Sequence, residues 1–233
     1  MLSAKQLPLS FEFKANQHFD DYYAGCNLET VSLLQDAIVN QTETQVFIWG
    51  ESGLGKSHLL RACCDKAQQV NKTSFYFDFN TSKLPEPDLL TGLEQFDLVC
   101  LDNIEKIVSL AIWEVAFFNF FNQHRELGNT LILAAHCPPN ELSINLPDLK
   151  TRLNWGLTLK LKTLGDDDKI AALIFKAGQM GFEISVQTAR YILSHCDRDL
   201  NYLWALLETL DHASLAAKRK LTIPFLKEIL PQS

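Results

Sequence analysis

Residues 50–57 read Gly50-Glu51-Ser52-Gly53-Leu54-Gly55-Lys56-Ser57, and the fold follows from what this octapeptide must do. It fits the GxxxxGK(S/T) pattern of a loop that cradles phosphate. Its glycines let the backbone curl until several N–H groups aim at one set of phosphate oxygens. A helix starting at the loop adds the partial positive charge of its N-terminus. In that frame Lys56 reaches the β and γ phosphates, and Ser57 offers a hydroxyl to Mg²⁺. The flanks supply the required context. Residues 45–50 (QVFIWG) form an apolar run of strand length, and residues 56–70 have helical periodicity. Strand, glycine-rich loop, helix is the order in which the pattern means a nucleotide site.

Three more apolar runs rich in β-formers lie at residues 74–79, 97–102 and 130–135. Each is apolar on both faces, which predicts a strand buried in a parallel sheet. Helices are predicted near residues 28–40 and over 110–127, and strands alternating with helices define an open α/β sheet. After Leu161 the alternation stops. Residues 166–180, 185–196, 198–218 and 222–230 all carry helical periodicity with no strand between them. They predict a small all-helical domain, whose last helix starts with Thr222 as a cap and Pro224 in its first turn. The expected divisions are a tail at 1–13, a nucleotide-binding α/β domain at 14–162 and a helical lid at 163–233.

The run LVCLDN, residues 98–103, ends a predicted strand in an acid. A carboxylate at the C-terminal edge of such a sheet sits beside the metal of a bound nucleotide, so Asp102 joins Ser57 as a metal-side residue. The next residue is Asn103, an amide that takes up no proton at neutral pH. It stands where many P-loop ATPases carry a glutamate, so slow hydrolysis is expected.

Composition narrows the function classes. The 233 residues contain 21 Lys and Arg against 28 Asp and Glu, a formal charge of −7, the wrong sign for a general nucleic-acid binder. The six cysteines form no CxxC pair and read as reduced thiols, several of them in apolar runs. No apolar stretch is long enough to span a bilayer and no signal-peptide core precedes the first helix. A cytoplasmic protein is expected.

Several segments together resemble the AAA+ ATPases, and within them the branch of the bacterial replication initiator DnaA and its shorter relatives. The resemblance covers nearly the whole chain. FDDYYAGCN (19–27) is similar to the segment against which adenine packs, which points to Tyr22 and Tyr23, and GLGKSHLL (53–60) carries the DnaA-like extension of the phosphate loop through His58. LAAHCPP (133–139) occupies the place of a γ-phosphate sensor, but with Ala134, Ala135 and His136 where a polar contact is usual. LPDLKTRLNWGL (146–157) resembles the arginine-finger segment and DRDLNYL (197–203) the helix of a second sensor. By position the resemblance implies Arg152 as a finger acting on a neighbour's nucleotide and Arg198 as a contact to the chain's own phosphates.

QLPLSF, residues 6–11, resembles the short peptide with which bacterial proteins dock onto the replicative sliding clamp, the β subunit of DNA polymerase III. Gln6, Leu7, Leu9 and Phe11 are its anchors. In DnaA a helix-turn-helix domain would follow the lid, whereas here Ser233 is the last residue, so sequence-specific DNA reading is not expected. The resemblance therefore implies a regulator that holds ADP, with Mg²⁺, as a conformational cofactor. It would form homo-oligomers such as a dimer, engage the clamp, and stimulate hydrolysis of ATP bound to DnaA. A self-contained AAA+ ATPase, such as a helicase loader or remodelling motor, is the competing expectation.

Overall fold

A computed structural model describes residues 17–217 and 219–229. Five parallel strands form one sheet: β1 (Gln45–Trp49), β2 (Ser74–Asp78), β3 (Leu98–Asp102), β4 (Thr130–Ala135) and β5 (Leu157–Lys160). Their spatial order is β2-β3-β4-β1-β5. β1 lies between β4 and β5, in register from Gln45 opposite Leu131 and from Val46 opposite Leu157. The crossover helices are α1 (Leu28–Val39), α2 (Lys56–Gln69), α3 (Ala111–Glu126) and α4 (Pro147–Leu153). The helical domain consists of α5 (Asp166–Gln179), α6 (Val186–His195), α7 (Leu200–Ala217) and α8 (Ile223–Ile229).

Successive strand residues point to opposite faces, and both faces are covered. Val46, Ile48, Leu98, Cys100, Ile132 and Ala134 pack with α1 and α2, in a core that continues through Leu161 and Leu164 into the helical domain. Phe47, Val99, Leu101, Leu131 and Leu133 pack with Phe117, Phe121 and Trp113 of α3 and with Leu149 and Leu153 of α4. The four expected strands and the helical tail end are all present. Sequence reading missed β5. It is an edge strand with only Leu159 buried, so it lacks the two-sided apolar signature of its neighbours. Thr222 precedes α8, and its carbonyl accepts the first helical bond from the Leu226 N–H at 2.9 Å. Pro224 lies in the first turn, where a missing N–H is harmless. No helix among the described residues is long and apolar enough to cross a membrane.

Candidate nucleotide site

The phosphate loop leaves the C-terminal end of β1 and enters α2 through Gly55, which has φ +85°. A β-carbon on Gly55 would lie 2.6 Å from the Tyr22 ring, and one on Gly53 would lie 2.9 Å from the Asn201 side chain. Both positions therefore need glycine for backbone conformation and for space. Lys56 is buried, and its ammonium donates to the carbonyls of Gly50 at 2.6 Å and Glu51 at 2.8 Å. Burial pulls its pKa below the ordinary lysine value, opposed by the charges of Asp102 and Glu105. The cation is thus held inside the loop's own curl.

Asp102 is fully buried at the end of β3. Burial raises its pKa, while hydrogen bonds from the Ser57 hydroxyl, the Tyr76 hydroxyl and the Asn103 N–H favour its charged form. The Tyr76 contact is 3.1 Å and the Asn103 contact 2.9 Å. A hydroxyl beside a buried carboxylate, both next to a lysine, is a donor set that suits an oxygen-ligated Mg²⁺ shared with phosphates. Ser57 and Asp102 would hold it. Among the described residues no cluster of three or more His, Cys, Asp or Glu offers an all-protein metal cage, so such an ion would depend on the phosphates for further ligands.

Asn103 adopts a left-handed conformation, φ +55°, which asparagine tolerates better than most residues. Its side-chain amide donates to Asp78 Oδ1 at 2.7 Å, an oxygen that also accepts the Asn80 N–H at 2.8 Å. Asp78 ends β2 directly opposite Asp102 in the β2–β3 register.

The loop opens onto a cavity of about 480 Å³. Tyr22 and Tyr23 form part of its wall, with Leu164, Ala172 and Phe175. The Tyr22 hydroxyl donates to the Leu54 carbonyl at 3.0 Å, and burial pushes its pKa up to about 12. The Tyr23 hydroxyl donates to Asp168 of α5 at 3.3 Å, beside a ring contact with Phe175 at 5.9 Å. His58 Nε2 lies 3.0 Å from the His18 carbonyl, and burial lowers its pKa. An imidazole kept neutral in this way serves as packing for Tyr22, whose ring is 5.7 Å away.

The helical domain closes the cavity with Lys176, Asn201, Trp204 and Glu208. Asp199 caps α7, its carboxylate accepting the Tyr202 N–H at 3.0 Å. Arg198 stands just before α7 and outside the cavity wall. It is exposed and paired with Asp166 at 3.2 Å. His136 likewise turns to Glu105, at 3.2 Å.

Arg152 lies elsewhere. It is in the last turn of α4, with its guanidinium 4.4 Å from the Phe118 ring centre and 5.4 Å from that of Trp155. It also donates to Asn122 Oδ1. The carbonyls of Arg152 and Leu153 accept from Gln45 Nε2 at 3.1 and 3.3 Å. Gln45 begins β1, whereas the phosphate loop follows its other end, so a strand length of roughly 16 Å separates them. The structure thus brings together residues 50–58, Tyr22, Tyr23 and Asp102, and leaves Arg198 and Arg152 apart from them. Gln6, Leu7, Leu9 and Phe11 lie outside the described residues.

Sequence reading missed Asp78, Lys176, Asn201 and Trp204 as cavity residues. Asp78 did carry a signal, because YFDFN repeats in β2 the strand-ending acid that LVCLDN shows in β3.

The fold and its loop define a P-loop α/β domain followed by a small helical domain. The similarity extends to domain III of the Thermotoga maritima replication initiation protein DnaA, with a TM-score of 0.77 at 17% identity over 90% of this chain and 93% of that one. AMPPCP-bound DnaA from Aquifex aeolicus matches with a TM-score of 0.66 at 19% identity, over 77% of this chain and 60% of the longer one. The Thermotoga maritima RuvB branch migration motor matches at 0.65 and 16% identity, over 86% of this chain and 66% of that one. Residues 166–230 match the family described as Hda, lid domain. The family match is confined to the helical domain, and the solved structures show the likeness of the fold across both domains.

Proposed function

We propose that this chain is a negative regulator of chromosome replication initiation, which holds ADP in its phosphate loop and lends Arg152 to ATP bound by DnaA. The observation that carries this reading is the separation of Arg152 from the chain's own loop by the length of β1. A guanidinium held there by aromatic rings serves a nucleotide presented by a second molecule. Its fixed charge would meet the negative charge developing on the γ-phosphate. The Hda lid match and the DnaA-like fold support the choice of partner.

The nucleotide of this chain then acts as a conformational cofactor. Gly50 to Ser57 would take the phosphates, Tyr22 and Tyr23 would flank the base, and Mg²⁺ would sit between Ser57, Asp102 and the phosphates. Asn103 offers no general base, which is consistent with weak intrinsic hydrolysis. Gln6, Leu7, Leu9 and Phe11 would tether the chain to the sliding clamp, placing it on DNA near its target. Self-association of the chain, as a dimer, would hide or expose Arg152.

The test is hydrolysis of DnaA-bound ATP in the presence of clamp-loaded DNA. Arg152→Ala is expected to lower the stimulated rate by a factor on the order of 10³, the usual worth of an arginine finger. Gln6→Ala is expected to lose stimulation only where the clamp is required. Stimulation by Arg152→Ala equal to that of the unaltered chain would refute the assignment.

A further inference from the structure

Asp78, a residue outside the phosphate loop and one strand away from Asp102, lines the nucleotide cavity. The inference rests on the nucleotide reading above and concerns the part of the cavity beyond the β-phosphate position.

A third phosphate brings three acceptor oxygens and needs donors around it. Several of the donors near Asp102 are already engaged. Ser57, Tyr76 and the Asn103 N–H serve Asp102. His136, at the end of β4, turns to Glu105, and Arg198 turns to Asp166. Asn103 lines the cavity beside Asp102 and gives one of its two amide hydrogens to Asp78, and Asn80, whose backbone N–H also serves Asp78, lines the cavity too. A carboxylate only accepts, so the end of Asn103 facing Asp78 has to be its NH₂, and its carbonyl is left as the other face. Asp78 and Asn103 both line the cavity, and together they present acceptors to any further phosphate. The Lys56 ammonium is shared with the loop carbonyls.

We infer that Asp78 is a specificity residue that makes the site select a nucleoside diphosphate over a triphosphate. It does so by setting its own charge against the third phosphate and by drawing one of the two Asn103 amide hydrogens to itself. Like charges brought together in a partly closed site are among the costlier mismatches in recognition.

The experiment compares the affinities of ADP and AMPPCP, each with Mg²⁺, for the full chain and for Asp78→Asn, which keeps the size and the hydrogen bond to Asn103 but removes the charge. The unaltered chain is expected to prefer ADP by about tenfold or more. Asp78→Asn is expected to cut that preference at least about tenfold through tighter AMPPCP binding, with ADP affinity within about threefold of its starting value. An unchanged ratio would overturn the inference. Loss of both ligands on substitution would also overturn it, since it would make Asp78 a prop of the sheet edge. If the unaltered chain bound neither ligand, the nucleotide reading itself would fail, and this outcome is distinct from the other two.

Discussion

At the scale of single residues, chemistry and burial are in tension at several points, and one of them gives a pH signature. Burial pushes the His124 imidazole down to about 4, and its Nε2 has no hydrogen-bond partner among the described residues. The unfolded chain, with an ordinary histidine, binds a proton between about pH 4 and 6.5 that the folded chain refuses. Stability must therefore fall as pH drops through that window. His124→Leu is expected to flatten this part of a melting-temperature profile against pH. At pH 7 the variant should stay within about 1 kcal/mol of the parent, because removing the unpaired nitrogen offsets the lost bond to the Phe96 carbonyl. The residues whose placement was best legible in the sequence were Gly53, Gly55, Lys56 and Ser57, fixed by the turn into α2, and the acid closing an apolar strand, Asp102. Asp78 was not read, since a lone strand-ending acid is common and only the β2–β3 register brings it opposite Asp102.

At the scale of elements, the short helix α4 is clamped at both ends. Glu114 of α3 is buried, and its carboxylate accepts the N–H groups of Asn145 at 2.8 Å and Leu146 at 2.7 Å. Gln45 holds the carbonyls at the other end. Seven residues form too short a helix to persist alone, so these clamps and the Arg152 stack fix its orientation. Gln45→Leu is expected to cost about 1–2 kcal/mol, or roughly 3–6 °C in melting temperature. It should also weaken stimulation of DnaA while leaving ADP affinity unchanged, which calorimetric titration and the hydrolysis assay check together. The central strands were legible because both faces are apolar. β5 was not, because alternation over four residues at an exposed edge is a weak signal, and neither was the Gln45 clamp, which depends on a contact 107 residues away in sequence.

At the scale of the whole molecule, the cavity joins two domains. The N-terminus of α7 sits over Gly53, Asp168 of α5 takes the Tyr23 hydroxyl, and Gln179 reaches Asp21 at 3.2 Å. A nucleotide bound between them should stabilise both. ADP at a hundred times its Kd is expected to add about 2.7 kcal/mol, or roughly 5–10 °C. Lys56→Ala should abolish that gain, as melting curves with and without ADP would reveal. The left-handed backbone at Asn103 constrains substitution there as well. A glutamate there would carry about 1–2 kcal/mol of conformational cost, and it would set a second carboxylate against Asp78 in place of the present hydrogen bond. Placing a hydrolytic glutamate at position 103 is therefore not a single-residue change. A glutamate introduced at position 103 while Asp78 stays unchanged is expected to lower stability, and residues 78 and 103 tolerate such a change only in concert.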